Sequence, residues 1–144
     1  MATRVFSAAP ASTYGFYYQG KCAFTVQPDG SLTFPEDDMS TPEGRVKKRV
    51  KDLLNAFAPD VWYTMPLTGG FGGSGTPDIL ACCWGHFLAV ECKAGDNTTT
   101  ALQDREIERI RAAGGEALVI NEHNLENLAV LLASWKGLYG HSAD

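Results

Sequence analysis

The chain has 144 residues, enough for one compact domain with a modest core, and its 44% hydrophobic and 20% charged residues are ordinary for a globular protein. No apolar run approaches the roughly 20 residues that cross a bilayer, and the first dozen lack a signal-peptide core, so the expectation is a cytoplasmic protein with no membrane partner. A net charge of -5 argues against indiscriminate coating of nucleic acid but leaves room for a local basic face beside a carboxylate cluster.

In chain order, Lys21 to Gln27 alternates apolar and polar residues, Pro28-Asp29-Gly30 supplies a turn, and Ser31 to Phe34 returns as a second strand. This β-hairpin and the acidic run Glu36-Asp37-Asp38 make residues 1–40 an N-terminal extension, with a second region from 41 to 144. The tyrosine-rich stretch Tyr14, Phe16, Tyr17, Tyr18 fits hairpin packing or a dimer contact better than base stacking. A helix then starts at Ser40 or Thr41 as N-cap, with Pro42 in the first turn and Glu43 where the helix dipole favours a carboxylate. Val46, Val50, Leu53, Leu54 and Phe57 form its buried stripe, and Pro59 ends it.

Val61 to Leu67 reads as a short strand limited by Pro66. Asp78 to Cys83 and His86 to Lys93 read as two strands joined by a tight turn at Trp84-Gly85. A helix capped by Thr99 or Thr100 runs to about Ala113, Glu116 to Asn121 forms a buried strand, and Asn124 caps a last helix ending near Trp135. From Glu43 onward the order is α-β-β-β-α-β-α, which implies an α/β fold with a mixed sheet flanked by helices.

The chemistry concentrates at Asp78 and, after twelve intervening residues, at Glu91-Cys92-Lys93. Strand alternation projects Glu91 and Lys93 to one face, with Phe87 and Ala89, and Cys92 to the other, with Leu88 and Val90. The turn at Trp84-Gly85 brings Asp78 alongside. Two carboxylates from neighbouring strands can hold a hard cation such as Mg²⁺, with Mn²⁺ as a substitute, and Lys93 can orient or deprotonate an attacking water. The alternative for Glu91 and Lys93 alone is an ordinary exposed ion pair.

Pro77-Asp78 with Glu91-Cys92-Lys93 resembles the PD-(D/E)xK motif of the restriction-endonuclease-like superfamily, and most nearly its VRR-Nuc branch. That branch places a helical glutamate, a Gly-x-Pro-Asp segment, a Glu-x-Lys strand and a helix with a glutamine in this order; here they are Glu43, Gly75-Thr76-Pro77-Asp78, Glu91-Cys92-Lys93 and Gln103. The resemblance spans roughly residues 41–135 and implies a metal-dependent DNA endonuclease, of a kind common in phages, with branched DNA such as a Holliday junction as substrate and a homodimer as assembly. It also implies that Asp78, Glu91 and the Cys92 backbone carbonyl bind the metal, that Lys93 serves the water, and that Glu43 reaches the metal through water. Helical spacing puts Glu43 on the stripe of Val46 and Val50, and Gln103 on that of Ile107 and Ile110. Gln103 can there orient the lysine or touch a phosphate; the alternatives are a plain dipole-complementing carboxylate for Glu43 and a hydrogen-bonded structural amide for Gln103. A non-cleaving DNA-binding module and a small-phosphoester hydrolase remain the competing functions.

Arg45, Lys47, Lys48, Arg49 and Lys51, with the loop residues Gly72, Gly73 and Ser74, are the candidates for DNA contact, against the alternative of a solvated helix face. Gly70 to Gly75 matches G-x-G-x-x-G by letter, but it leads into a strand rather than a helix, so no nucleotide cofactor is expected. Cys82, Cys83, His86 and Cys92 include no Cys-x-x-Cys pair, and free thiols are expected instead of zinc or disulfides.

Overall fold

Residues 13–35, 41–67 and 75–140 are described by the computed structural model. The central sheet has the order β4-β5-β6-β7, from β4 (Val61–Thr64), β5 (Ile79–Cys83), β6 (His86–Cys92) and β7 (Glu116–Ile120). β5 pairs antiparallel with both β4 and β6, whereas β7 pairs parallel with β6. A parallel pair needs a crossover, and helix α2 (Ala101–Ala112) supplies it. Helices α1 (Pro42–Asn55) and α3 (Leu125–Tyr139) complete the α-β-β-β-α-β-α order read from the sequence.

Period-2 alternation divides the sheet cleanly. Ile79, Ala81, Cys83, Leu88, Val90, Cys92 and Ile120 face Val46, Val50, Leu53 and Leu54 of α1 and Leu125, Leu128 and Leu132 of α3. The opposite face packs Ala89 and Ala117 against Ile107 of α2, with Leu80, Ile110 and Val119 at the edge. Cys83 and Cys92 are therefore buried thiols, while Cys82 is exposed on the other face; all four cysteines are free. Burial pushes the Cys83 thiol up to about 12 and raises Cys92 as well.

The N-terminal sheet has one strand more than the hairpin expected. β1 (Tyr14–Tyr18) joins β2 (Lys21–Val26) and β3 (Leu32–Thr33) in an antiparallel meander. Gln19 and Gly20 close the first hairpin with φ of 52° and 78°, the positive angles that match strand twist in a two-residue turn. Phe16 is buried and stacks on Phe24 at 5.3 Å, and Tyr14 and Tyr18 are half-buried against the core, so only Tyr17 of this aromatic group stands 53% exposed. Phe16, Phe24 and Val26 share one apolar cluster with α1.

Two other details depart from expectation. α3 runs a turn beyond Trp135, where Tyr139 stacks on His86 with ring centroids 3.8 Å apart. Asn124 sits at the N-cap of α3 without a capping bond. Its side chain instead accepts from the Asn121 N–H and donates to the Val119 carbonyl, tying the β7–α3 loop together. Among the described residues, no helix is long and apolar enough to cross a membrane.

Candidate metal centre

The β5–β6 hairpin sets the site. Cys83 pairs with His86, leaving Trp84 and Gly85 as a two-residue turn with φ of 49° and 85°. At the other end Ile79 pairs with Val90, so the next residue, Asp78, comes level with Glu91. Asp78 Oδ2 accepts the Cys92 N–H at 2.9 Å. In a strand the N–H and C=O of one residue leave by the same edge, so the Cys92 carbonyl is directed to the Asp78 side as well. The Lys93 N–H turns the other way and donates to the Ile120 carbonyl of β7 at 2.9 Å.

Glu91 is only 3% exposed. Its Oε1 accepts from Gln103 Nε2 at 2.9 Å and lies 3.7 Å from Lys93 Nζ. Its Oε2 is buried without a hydrogen-bond partner. Burial first, and then the nearby Asp78 charge, push the Glu91 carboxyl from 4.5 up to about 7, with Lys93 pulling the other way. An unsatisfied buried acceptor costs roughly 1–3 kcal/mol, a cost that a cation on that oxygen would offset.

Gln103 reaches Glu91 because of how α2 begins. Thr100 caps the helix: its Oγ1 accepts the Gln103 N–H at 3.2 Å, and Gln103 Oε1 accepts the Thr100 N–H at 2.9 Å. This capping box fixes the glutamine side chain and leaves its amide nitrogen to donate to Glu91. Gly75 makes the close approach possible. It has φ of 92°, and a Cβ there would fall on the Leu102 carbonyl, 2.6 Å from its carbon and 3.1 Å from the Gln103 nitrogen.

Glu43 lies on the same side of α1 as the site, but a lysine stands between. Lys47 Nζ is 3.6 Å from Glu43 Oε2 and 3.5 Å from Asp78 Oδ1. Burial alone would lower the Lys47 amine, yet the Asp78 and Glu43 carboxylates outweigh it and hold it above its ordinary value. Lys47, one of the candidates for DNA contact, thus lies beside the carboxylates. A sequence signal for this exists: Glu43, Lys47, Val50 and Leu54 follow at 4-3-4 spacing, one continuous stripe of the helix.

The other basic residues of α1 diverge. Lys48 pairs with Asp52 at 3.5 Å, and the Arg49 guanidinium lies 5.0 Å above the Phe34 ring, against the N-terminal sheet. Arg45 and Lys51 are half-buried. The structure thus does not gather Arg45, Lys47, Lys48, Arg49 and Lys51 on one face. Gly72, Gly73 and Ser74 lie outside the described residues.

Asp78 and Glu91 with its open Oε2 form a donor set that fits a hard divalent cation. Among the described residues no group of three or more His, Cys, Asp or Glu side chains is placed to hold a metal ion. Two carboxylates and a carbonyl leave several positions to water, which is the preference of Mg²⁺ rather than of zinc.

No family model and no curated protein matches the chain. A solved structure described as a VRR_NUC domain does, at 26% identity and a TM-score of 0.52, over 64% of this chain and 97% of that one. The αβββαβ core and its mixed sheet thus have a structural counterpart. The chain carries the VRR-Nuc nuclease-type fold of the restriction-endonuclease-like superfamily.

Proposed function

We propose that this chain is a divalent-metal-dependent DNA endonuclease whose centre is Asp78, Glu91 and Lys93. The observation that carries the reading is the buried Glu91 beside Asp78, with one oxygen fixed by Gln103 and Lys93 and the other unpartnered. Asp78, Glu91 and the Cys92 carbonyl would hold Mg²⁺, or Mn²⁺ in its place. The bound ion supplies Lewis acidity toward a phosphate oxygen and lowers the pKa of a nearby water.

The residues of the chain account for the rest. Lys93, 13% exposed in its side chain, points into the site and can orient an attacking water or accept its proton. Gln103 keeps Glu91 from turning away. Glu43, beyond Lys47, would reach the metal through water. Lys47, Lys48, Arg45, Arg49 and Lys51, with Gly72, Gly73 and Ser74, are the residues from which DNA contacts would be drawn. Branched DNA as substrate and a homodimer follow from the family resemblance and, with a cytoplasmic location, belong to the same proposal.

Incubating plasmid DNA and synthetic four-way junctions with the protein, with and without Mg²⁺ or Mn²⁺, tests the reading. Cleavage should need the metal and disappear in Asp78→Asn and Lys93→Ala. Cleavage that persists in both variants, or in excess EDTA, refutes it. Binding of junctions without cleavage under any metal would point to a non-cutting DNA-binding module.

A further inference from the structure

The ammonium of Lys47 bridges the first turns of α1 to the carboxylate pair, 3.5 Å from Asp78 Oδ1 and 3.6 Å from Glu43 Oε2. A positive charge therefore already sits against Asp78 on the side away from the Cys92 N–H. Structural support is a poor explanation of this contact. Asp78 is oriented by its 2.9 Å bond from Cys92, and half-exposed ion pairs at such distances contribute little to stability. The α1 backbone is well anchored, since Val46 and Val50 on either side are 1% and 0% exposed. The lysine stem itself is flexible and partly solvated, so its head can move while the helix stays fixed.

We infer that Lys47 is a built-in counter-cation that competes with the divalent ion for Asp78 and is handed to a substrate phosphate when that ion is loaded; the inference rests on the metal-dependent reading above. An ammonium and a divalent cation on adjacent oxygens of one carboxylate repel strongly, so both cannot keep the same place. A DNA phosphate offers the displaced ammonium a new anion close by. The free protein should then bind metal weakly, and DNA and metal should strengthen each other's binding because each removes a competitor of the other.

Titrating the free protein with Mn²⁺ and reading the unbound ion by its paramagnetic resonance signal tests this without relying on activity. Lys47→Gln and Lys47→Met should each bind Mn²⁺ about five- to tenfold more tightly than wild type. Lys136→Gln removes the same charge at the opposite end of the sheet, where Gly140 lies beside Trp84 of the hairpin turn, and should not change the affinity. The methionine variant keeps the apolar stem, so one of the two remains informative if glutamine perturbs packing, and metal-free melting curves identify which. Mn²⁺ binding equal to or weaker than wild type in the folded Lys47 variants overturns the inference and leaves the metal reading intact. No Mn²⁺ binding by wild type or by either folded Lys47 variant overturns both.

Discussion

Gln103 Nε2 donates to Glu91 Oε1 at 2.9 Å, so the first turn of α2 and the end of β6 are joined at the one buried carboxylate among the described residues. The same glutamine closes the capping box with Thr100. A single side chain thus starts a helix and orients a ligand group, and the two roles can be separated by mutation.

Thr100→Ala removes only the cap acceptor and should cost about 1 kcal/mol of stability with little loss of cleavage. Gln103→Ala should cost a similar amount and also free Glu91, lowering kcat by at least about tenfold. Denaturant melts and single-turnover kinetics on both proteins check the separation. Equal kinetic damage from the two substitutions would mean that the cap, not the Glu91 contact, is what matters.

Gly75→Ala places a methyl group on the Leu102 carbonyl and demands a φ of 92° from an L-residue. Gly85→Ala imposes a similar angle, 85°, with nothing within 4 Å of the new Cβ. Both should lose stability by about 1 kcal/mol or more, but only Gly75→Ala should shift α2 and depress cleavage. Comparing their melting temperatures with their rates distinguishes strain alone from displacement of Gln103.

The pH dependence of the metal-free protein has a definite sign. Folding raises Glu91 from 4.5 to about 7, so the folded state binds the extra proton within that window. Its contribution to stability is full below 4.5 and is lost as pH rises through about 7. The melting temperature of the metal-free protein should therefore fall as pH rises through this range. Glu91→Gln should flatten the dependence and be more stable than wild type near pH 8, while losing cleavage. Saturating Mg²⁺ should raise wild-type stability most at high pH, with proton release on binding near neutrality. A wild-type stability that climbs with pH over the same window refutes this assignment.

Lys93→Ala should reduce kcat by about a hundredfold or more. Lys93→Arg separates positioning from proton transfer, because arginine keeps the charge but does not give up its proton near neutral pH. Substantial cleavage by Lys93→Arg would assign Lys93 to charge and orientation alone. Loss in both variants, with an altered pH–rate profile in whatever activity remains, supports proton acceptance from the water.

The order of elements and the two faces of β6 were legible in the sequence because both are local. Alternation along His86 to Cys92 needs only backbone geometry, and Trp84-Gly85 sets the register that brings Asp78 level with Glu91. The Thr100–Gln103 cap and the inward stripe of α2 are likewise encoded within one turn of helix. Tertiary structure decided where the long side chains go. Lys47 belongs to a run of five basic residues in seven positions; helical spacing sets it on the stripe of Glu43, Val50 and Leu54, but which anion or ring each of the five meets is not encoded locally. That choice depends on how α1 crosses the sheet and on what lies within reach of a flexible stem. The additional N-terminal strand, β1, stayed hidden because its aromatic run does not show which side chains turn inward until a core exists to receive Phe16. The open Oε2 of Glu91 is of the same kind: the sequence by itself determined that a carboxylate stands there, and only the packing around it decided that one oxygen would be buried and unpaired.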